Sequence, residues 1–120
     1  MTDDQNSKRY DLEDRTLAYS KKLLKILQSL PKTATNYSLI NQCSRSGPSM
    51  GSNYREANET ETKKDFQFRI RICRKEGKET IYWLELLIDN NNDHEKELLE
   101  ILDETRQLVK IFAAILEKCK

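Results

Sequence analysis

Apolar residues recur along this chain at helical spacing, in long runs separated by short polar breaks. Leu12, Thr16, Tyr19, Leu23, Ile26, Leu27 and Leu30 follow one another at steps of three and four, and Pro31 ends the run. Asp11 stands where an N-cap belongs, with Glu13 and Asp14 in the first turn. The pattern therefore predicts a first helix from Asp11, after a disordered polar tail over residues 1–10. A second stripe carries Tyr37, Ile40, Cys43, Gly47, Met50, Gly51, Tyr54 and Ala57, with Asn36 as its expected cap. Ser44, Gly47 and Gly51 put small side chains on one face, where a neighbouring helix can approach closely. Pro48 removes one helical hydrogen bond near Ser44, which predicts a helix bent or interrupted near Gly47-Pro48, with two separate helices as the alternative.

The third segment carries two patterns at once. Phe66, Phe68, Ile70 and Ile72 alternate with polar residues as in a strand, yet Phe66, Ile70, Cys73, Gly77, Ile81, Leu84 and Ile88 fit one helical stripe. No second strand pattern exists to pair with a lone strand, and Arg, Lys, Glu and Leu favour helix, so a helix is predicted. Asn90-Asn91-Asn92 reads as a turn and Asp93 as the cap of a fourth helix bearing Leu98, Leu102, Thr105, Val109, Phe112, Leu116 and Cys119. Four helices with short loops give an all-α fold, an antiparallel up-and-down four-helix bundle over residues 11–120. Helices one and four are apolar beyond a single stripe, and that surplus predicts an oligomer with Leu17, Leu24, Leu108 and Ile115 at its interface.

Composition narrows the picture in two ways. At 120 residues the chain suits one domain, and 3 Gly with 2 Pro leave too little turn material for a sandwich or barrel. No apolar run approaches the roughly 18 residues that span a bilayer, and Met1–Arg15 carries no secretory signal pattern, so a cytoplasmic protein without a membrane partner is predicted. The net charge of +1 conceals an uneven distribution. From Lys32 to Glu79 there are ten Lys and Arg against six Asp and Glu; from Asp93 to Lys120 there are five against seven.

Within the basic stretch, Lys63, Lys64, Arg71, Arg74, Lys75 and Lys78 crowd the first half of helix three. Such a row can neutralise phosphates, giving salt-sensitive binding to RNA or DNA; the alternative is a solvated face laced with Glu76 and Glu79. Read as a row without exposed aromatics, it predicts contact with the backbone of structured RNA or duplex DNA and little sequence preference.

Catalytic chemistry finds no foothold. Gly47-Pro48-Ser49-Met50-Gly51 spells G-x-S-x-G, but that elbow needs a strand-to-helix turn above a sheet, and no sheet is predicted. Cys43, Cys73 and Cys119 are far apart and lie on apolar stripes, as small core hydrophobes do. With one His, no paired Cys and no E-x-x-H after Glu56 or Glu59, no metal site is predicted. The expectation is a non-enzymatic protein without a cofactor.

Three segments resemble a known family. Arg45-Ser46-Gly47-Pro48-Ser49-Met50-Gly51-Ser52-Asn53-Tyr54-Arg55-Glu56-Ala57, then Lys64-Asp65-Phe66, then Glu79-Thr80-Ile81-Tyr82-Trp83-Leu84-Glu85-Leu86-Leu87 are similar, in that order, to the bacterial four-helix bundle family of 23S rRNA intervening-sequence proteins. Leu12-Glu13-Asp14-Arg15 and Leu30-Pro31-Lys32 fit as well, so the resemblance runs from Asp11 to Cys119. Ser52 and Met50 depart from it, standing where the family often has Ala and Val or Ile. The resemblance implies a homopentameric barrel. It also implies kinship with the accessory variability determinants of diversity-generating retroelements, whose partners are a reverse transcriptase and nucleic acid. Within the central motif, Gly47 and Gly51 allow close helix contact, while Asn53, Arg55 and Glu56 are expected to form a polar network between helices two and three, with Asp65 or Glu85 as partners.

Overall fold

The computed structural model describes residues 3–120, with side chains from Asp11 onward. Four helices follow in order, α1 (Asp3–Ser29), α2 (Ala34–Asn58), α3 (Lys63–Asn90) and α4 (Glu95–Lys118), with one 3-10 turn at Asn92–His94. No strand occurs among the described residues, and Phe66–Ile72 lies inside α3. Asp11 sits within α1 instead of capping it, and the expected tail, residues 1–10, falls on residues whose side chains lie outside this description.

The helix starts are set by threonines. Thr33 accepts a hydrogen bond from the Asn36 amide and Thr62 from the Asp65 amide, each at 3.1 Å, so Thr33 caps α2 in place of Asn36. Asn36 is buried instead. Its Nδ2 donates to Asn91 Oδ1 at 2.7 Å and Asn91 Nδ2 donates back to Asn36 Oδ1 at 2.9 Å, tying the start of α2 to the end of α3. At the third loop the asparagines extend α3 to Asn90. His94, not Asp93, holds the N-cap position of α4, without a side-chain bond. α2 runs unbroken through Pro48, a single element.

Each helix packs on its neighbours in the chain and α4 returns to α1, while the backbones of diagonal pairs stay apart. The result is a rod of 48 × 23 × 19 Å. Its core is a ladder of fully buried side chains, among them Leu23, Met50, Ile70, Leu84, Leu98, Leu108 and Phe112. Glycines set how close the helices come. Gly51 faces Thr16 on α1, and Gly77 faces both Met50 on α2 and Val109 on α4. The α1–α4 seam is looser, with a groove of about 690 Å³ beside Tyr19 and Leu99. It is pinned by Tyr19 Oη donating to Thr105 Oγ1 at 2.7 Å and by two Arg15–Glu104 hydrogen bonds of 2.8 Å.

Candidate nucleic-acid interface

α3 presents different chemistry on its two sides. Toward α2, polar side chains find partners. Arg69 Nη1 donates to Asn53 Oδ1 at 3.1 Å, and Asn53 Nδ2 donates to Ser49 O and Oγ, both at 2.9 Å. Thr80 Oγ1 donates to the Glu76 carbonyl at 2.8 Å, so the Ser46 hydroxyl 2.7 Å away is the donor to Thr80. The Cys73 thiol reaches the Met50 carbonyl at 3.4 Å. Arg45 stands 3.7 Å from Glu76 Oε2 and 3.3 Å from Glu79 Oε2, one guanidinium shared by two carboxylates. Burial pushes the Glu76 carboxyl above its usual range and the negative charge of Glu79 pushes it further, while Arg45 and Lys75 pull it back.

The central motif thus contributes unequally. Asn53 joins the network through Arg69, a partner not anticipated beside Asp65 and Glu85. Arg55 and Glu56 are exposed and their side chains make no hydrogen bond or ion pair. They lie on the outer face of α2 because Gly51, Tyr54 and Ala57 take its inner one.

Away from α2 the picture reverses. Lys63, Lys64, Arg71, Lys75 and Lys78 are exposed and Arg74 is half-buried, and none of the six has an ion pair or hydrogen bond among the described residues. Like charges four apart, Arg71 with Lys75 and Arg74 with Lys78, repel by a few tenths of a kcal/mol per pair. Among the described residues only the field of Glu76 and Glu79 offsets that cost, and no ion pair does, so the row is not a network built for stability.

One expectation about this face is corrected. It does carry exposed aromatics, since Phe68 is 57% exposed and Tyr82 58%. The Tyr82 ring stands edge-on to Trp83, with centroids 5.2 Å apart and planes at 70°. A groove of about 440 Å³ runs between Arg71, Arg74, Lys75 and Lys78 on one hand and Tyr82 and Trp83 on the other, with Glu79 as its one acid. The signal was present in the sequence. Phe68, Lys75 and Tyr82 recur at seven-residue steps opposite the Ile70, Gly77, Leu84 stripe. A second groove, of about 230 Å³ between α3 and α4, shares Arg71 and Arg74 and adds Lys120, which is paired with Glu117 at 3.0 Å.

The expected interface residues separate. Leu17 and Leu24 are 43% and 36% exposed on α1. Ile115 is half-buried against the core. Leu108 is fully buried within the single chain and is therefore a core residue, because α4 turns it inward with Ile101, Thr105 and Phe112.

Ser49 sits in the middle of an unbroken helix and not on a strand-to-helix turn, so the G-x-S-x-G match is not an elbow. Cys43 and Cys73 are buried, and burial pushes both thiols up to about 12, far from a thiolate. No cluster of three metal-ligating side chains occurs among the described residues.

The comparisons agree with this architecture. The family profile described as 23S rRNA-intervening sequence protein matches residues 8–114. A crystal structure of a protein with unknown function from the S23 ribosomal protein family of Bacteroides thetaiotaomicron is 29% identical, with a TM-score of 0.79 over 87% of this chain and 96% of that one. No curated protein matches the chain.

Proposed function

The chain belongs to the 23S rRNA-intervening sequence protein family, and from that premise we propose that it is a non-enzymatic, homo-oligomeric scaffold that binds RNA or DNA through the outer face of α3. The observation that carries the reading is the row Lys64, Arg71, Arg74, Lys75 and Lys78, carried on one helix and without an ion pair among the described residues. Phosphates are the anions that such a row fits, because several point charges along a rod meet a polyanion of comparable pitch. The exposed Leu17 and Leu24 supply an apolar stripe for self-association into a closed ring, which we take to be five-membered. A ring repeats the basic row on every subunit, so weak contacts combine through effective concentration. No helix among the described residues is long and apolar enough to cross a membrane, and the cytoplasm is the compartment proposed.

Two measurements test this. Light scattering is expected to give an oligomer for the wild type and a smaller species for Leu17→Glu/Leu24→Glu; a wild-type monomer at micromolar concentration contradicts the assembly. Gel retardation at low salt is expected to show nucleic acid bound by the wild type and lost in Arg71→Glu/Arg74→Glu/Lys78→Glu. Absence of wild-type retardation, or its persistence in the triple variant, contradicts the binding site. In that event the accessory role beside a reverse transcriptase becomes the leading account, and pull-down with such an enzyme is the next test.

A further inference from the structure

We infer that the α3 face takes single-stranded nucleic acid, with unpaired bases stacked on Tyr82 and Phe68 and phosphates set against the four cations between them. The inference rests on the binding reading above and adds which form of nucleic acid is bound and which residues select it. Phe68 and Tyr82 are 14 residues apart, just short of four helical turns, so their rings project from nearly the same side of α3 about 21 Å apart. Arg71, Arg74, Lys75 and Lys78 fill the interval, and three of these are exposed. Aromatic rings interleaved with cations along a groove are the arrangement that binds single strands, since every base offers a stacking face and every linkage a phosphate. A duplex keeps its base faces inside the stack and can use only the cations.

Three further features favour this occupant. The Tyr82 ring is supported edge-on by Trp83, so its outer surface is presented at little ordering cost. Glu79, the acid that lines the groove, already faces Arg45 at 3.3 Å, which reduces its repulsion of a phosphate. A second copy of this chain is the poorer occupant, because it would have to bury several unpaired cations, and interface cores are depleted in Lys.

The chain supplies its own reporter, since Trp83 is its single tryptophan and touches Tyr82. The test titrates the full-length protein with 20-nucleotide oligouridylate, oligothymidylate and a 20-base-pair duplex at one salt concentration, following Trp83 fluorescence and anisotropy of labelled strands. The two single strands are expected to bind about tenfold or more tightly than the duplex and to change Trp83 emission. A preference between them would say whether RNA or DNA is the ligand. Tyr82→Ala is expected to weaken single-strand binding about tenfold with an unaltered salt slope and unaltered duplex binding, and Tyr82→Phe to restore it. Phe68→Ala serves as the independent second variant, and circular dichroism with light scattering checks fold and assembly. Duplex binding as tight as single-strand binding, or single-strand binding indifferent to both alanine variants, overturns the inference and leaves phosphate binding standing. Failure of all three probes to bind overturns both.

Discussion

The two sides of α3 are built from the same residue types and put to opposite uses. On the inner side a guanidinium, two carboxylates, a hydroxyl pair and an amide engage one another across the α2–α3 seam, as with Arg45 between Glu76 and Glu79. On the outer side Arg71, Arg74, Lys75 and Lys78 repel along the helix and make no hydrogen bond or ion pair among the described residues. The inner charges are occupied with fixing the register of two helices. The outer ones form no such network, and the proposed function gives them a partner instead. A net charge of +1 says nothing of this, because it sums over both.

The largest expected contrast comes from damaging each side separately. Arg71→Glu/Arg74→Glu/Lys78→Glu should lower nucleic-acid affinity by about a hundredfold or more while the melting temperature stays near that of the wild type, because no described hydrogen bond or ion pair is removed. The next effect belongs to the inner side. A Cβ at Gly77 would lie 2.5 Å from Val109 Cγ2 and 2.9 Å from Met50 Sδ, so Gly77→Leu should cost about 1–3 kcal/mol of stability in urea unfolding. Binding per folded molecule should be unchanged.

Most of this fold could be read from the chain, and the reason is periodicity. The stripes from Leu12 to Leu30 and from Leu98 to Leu116 admit no other element, and the Phe66–Ile72 ambiguity yields once pairing partners are sought. Caps were less legible. Thr33 and Asn36 satisfy the capping rule for α2 equally well, and the Thr33 bond to the Asn36 amide together with the buried Asn36–Asn91 pair decides between them. The side of each helix was least legible. Leu17 and Leu108 look alike as second-stripe leucines, yet one is 43% exposed and the other fully buried. Which stripe faces inward depends on the three other helices, and no single-helix pattern contains that. The same limit hid Phe68 and Tyr82 on the basic face.

Smaller effects sharpen the inner side. Thr80→Val keeps the shape but removes the acceptor for the fully buried Ser46 hydroxyl, and should cost about 1–2 kcal/mol. The smallest is a dependence on pH. Glu76 is held above its ordinary pKa in the folded state, so its contribution favours folding below the usual carboxylate range, near about pH 4, and is lost as pH rises through the raised value. Glu76→Gln should therefore match the wild type in urea unfolding at about pH 4 and exceed it near neutrality. A variant weaker than the wild type at neutral pH would mean that the Arg45 pairing outweighs burial.

The salt dependence of binding measures the outer face most directly. Wild-type affinity for a single-stranded probe should fall linearly on logarithmic axes with a slope of about −3 per engaged α3 face, as four cations each release a condensed counterion. Replacing Arg71, Arg74 and Lys78 by Glu should flatten that slope toward zero. Removing Arg15 from the α1–α4 seam, where it already pairs with Glu104, should leave the slope as it was. A slope unchanged by the α3 reversals would contradict the account and place the phosphates elsewhere on the molecule.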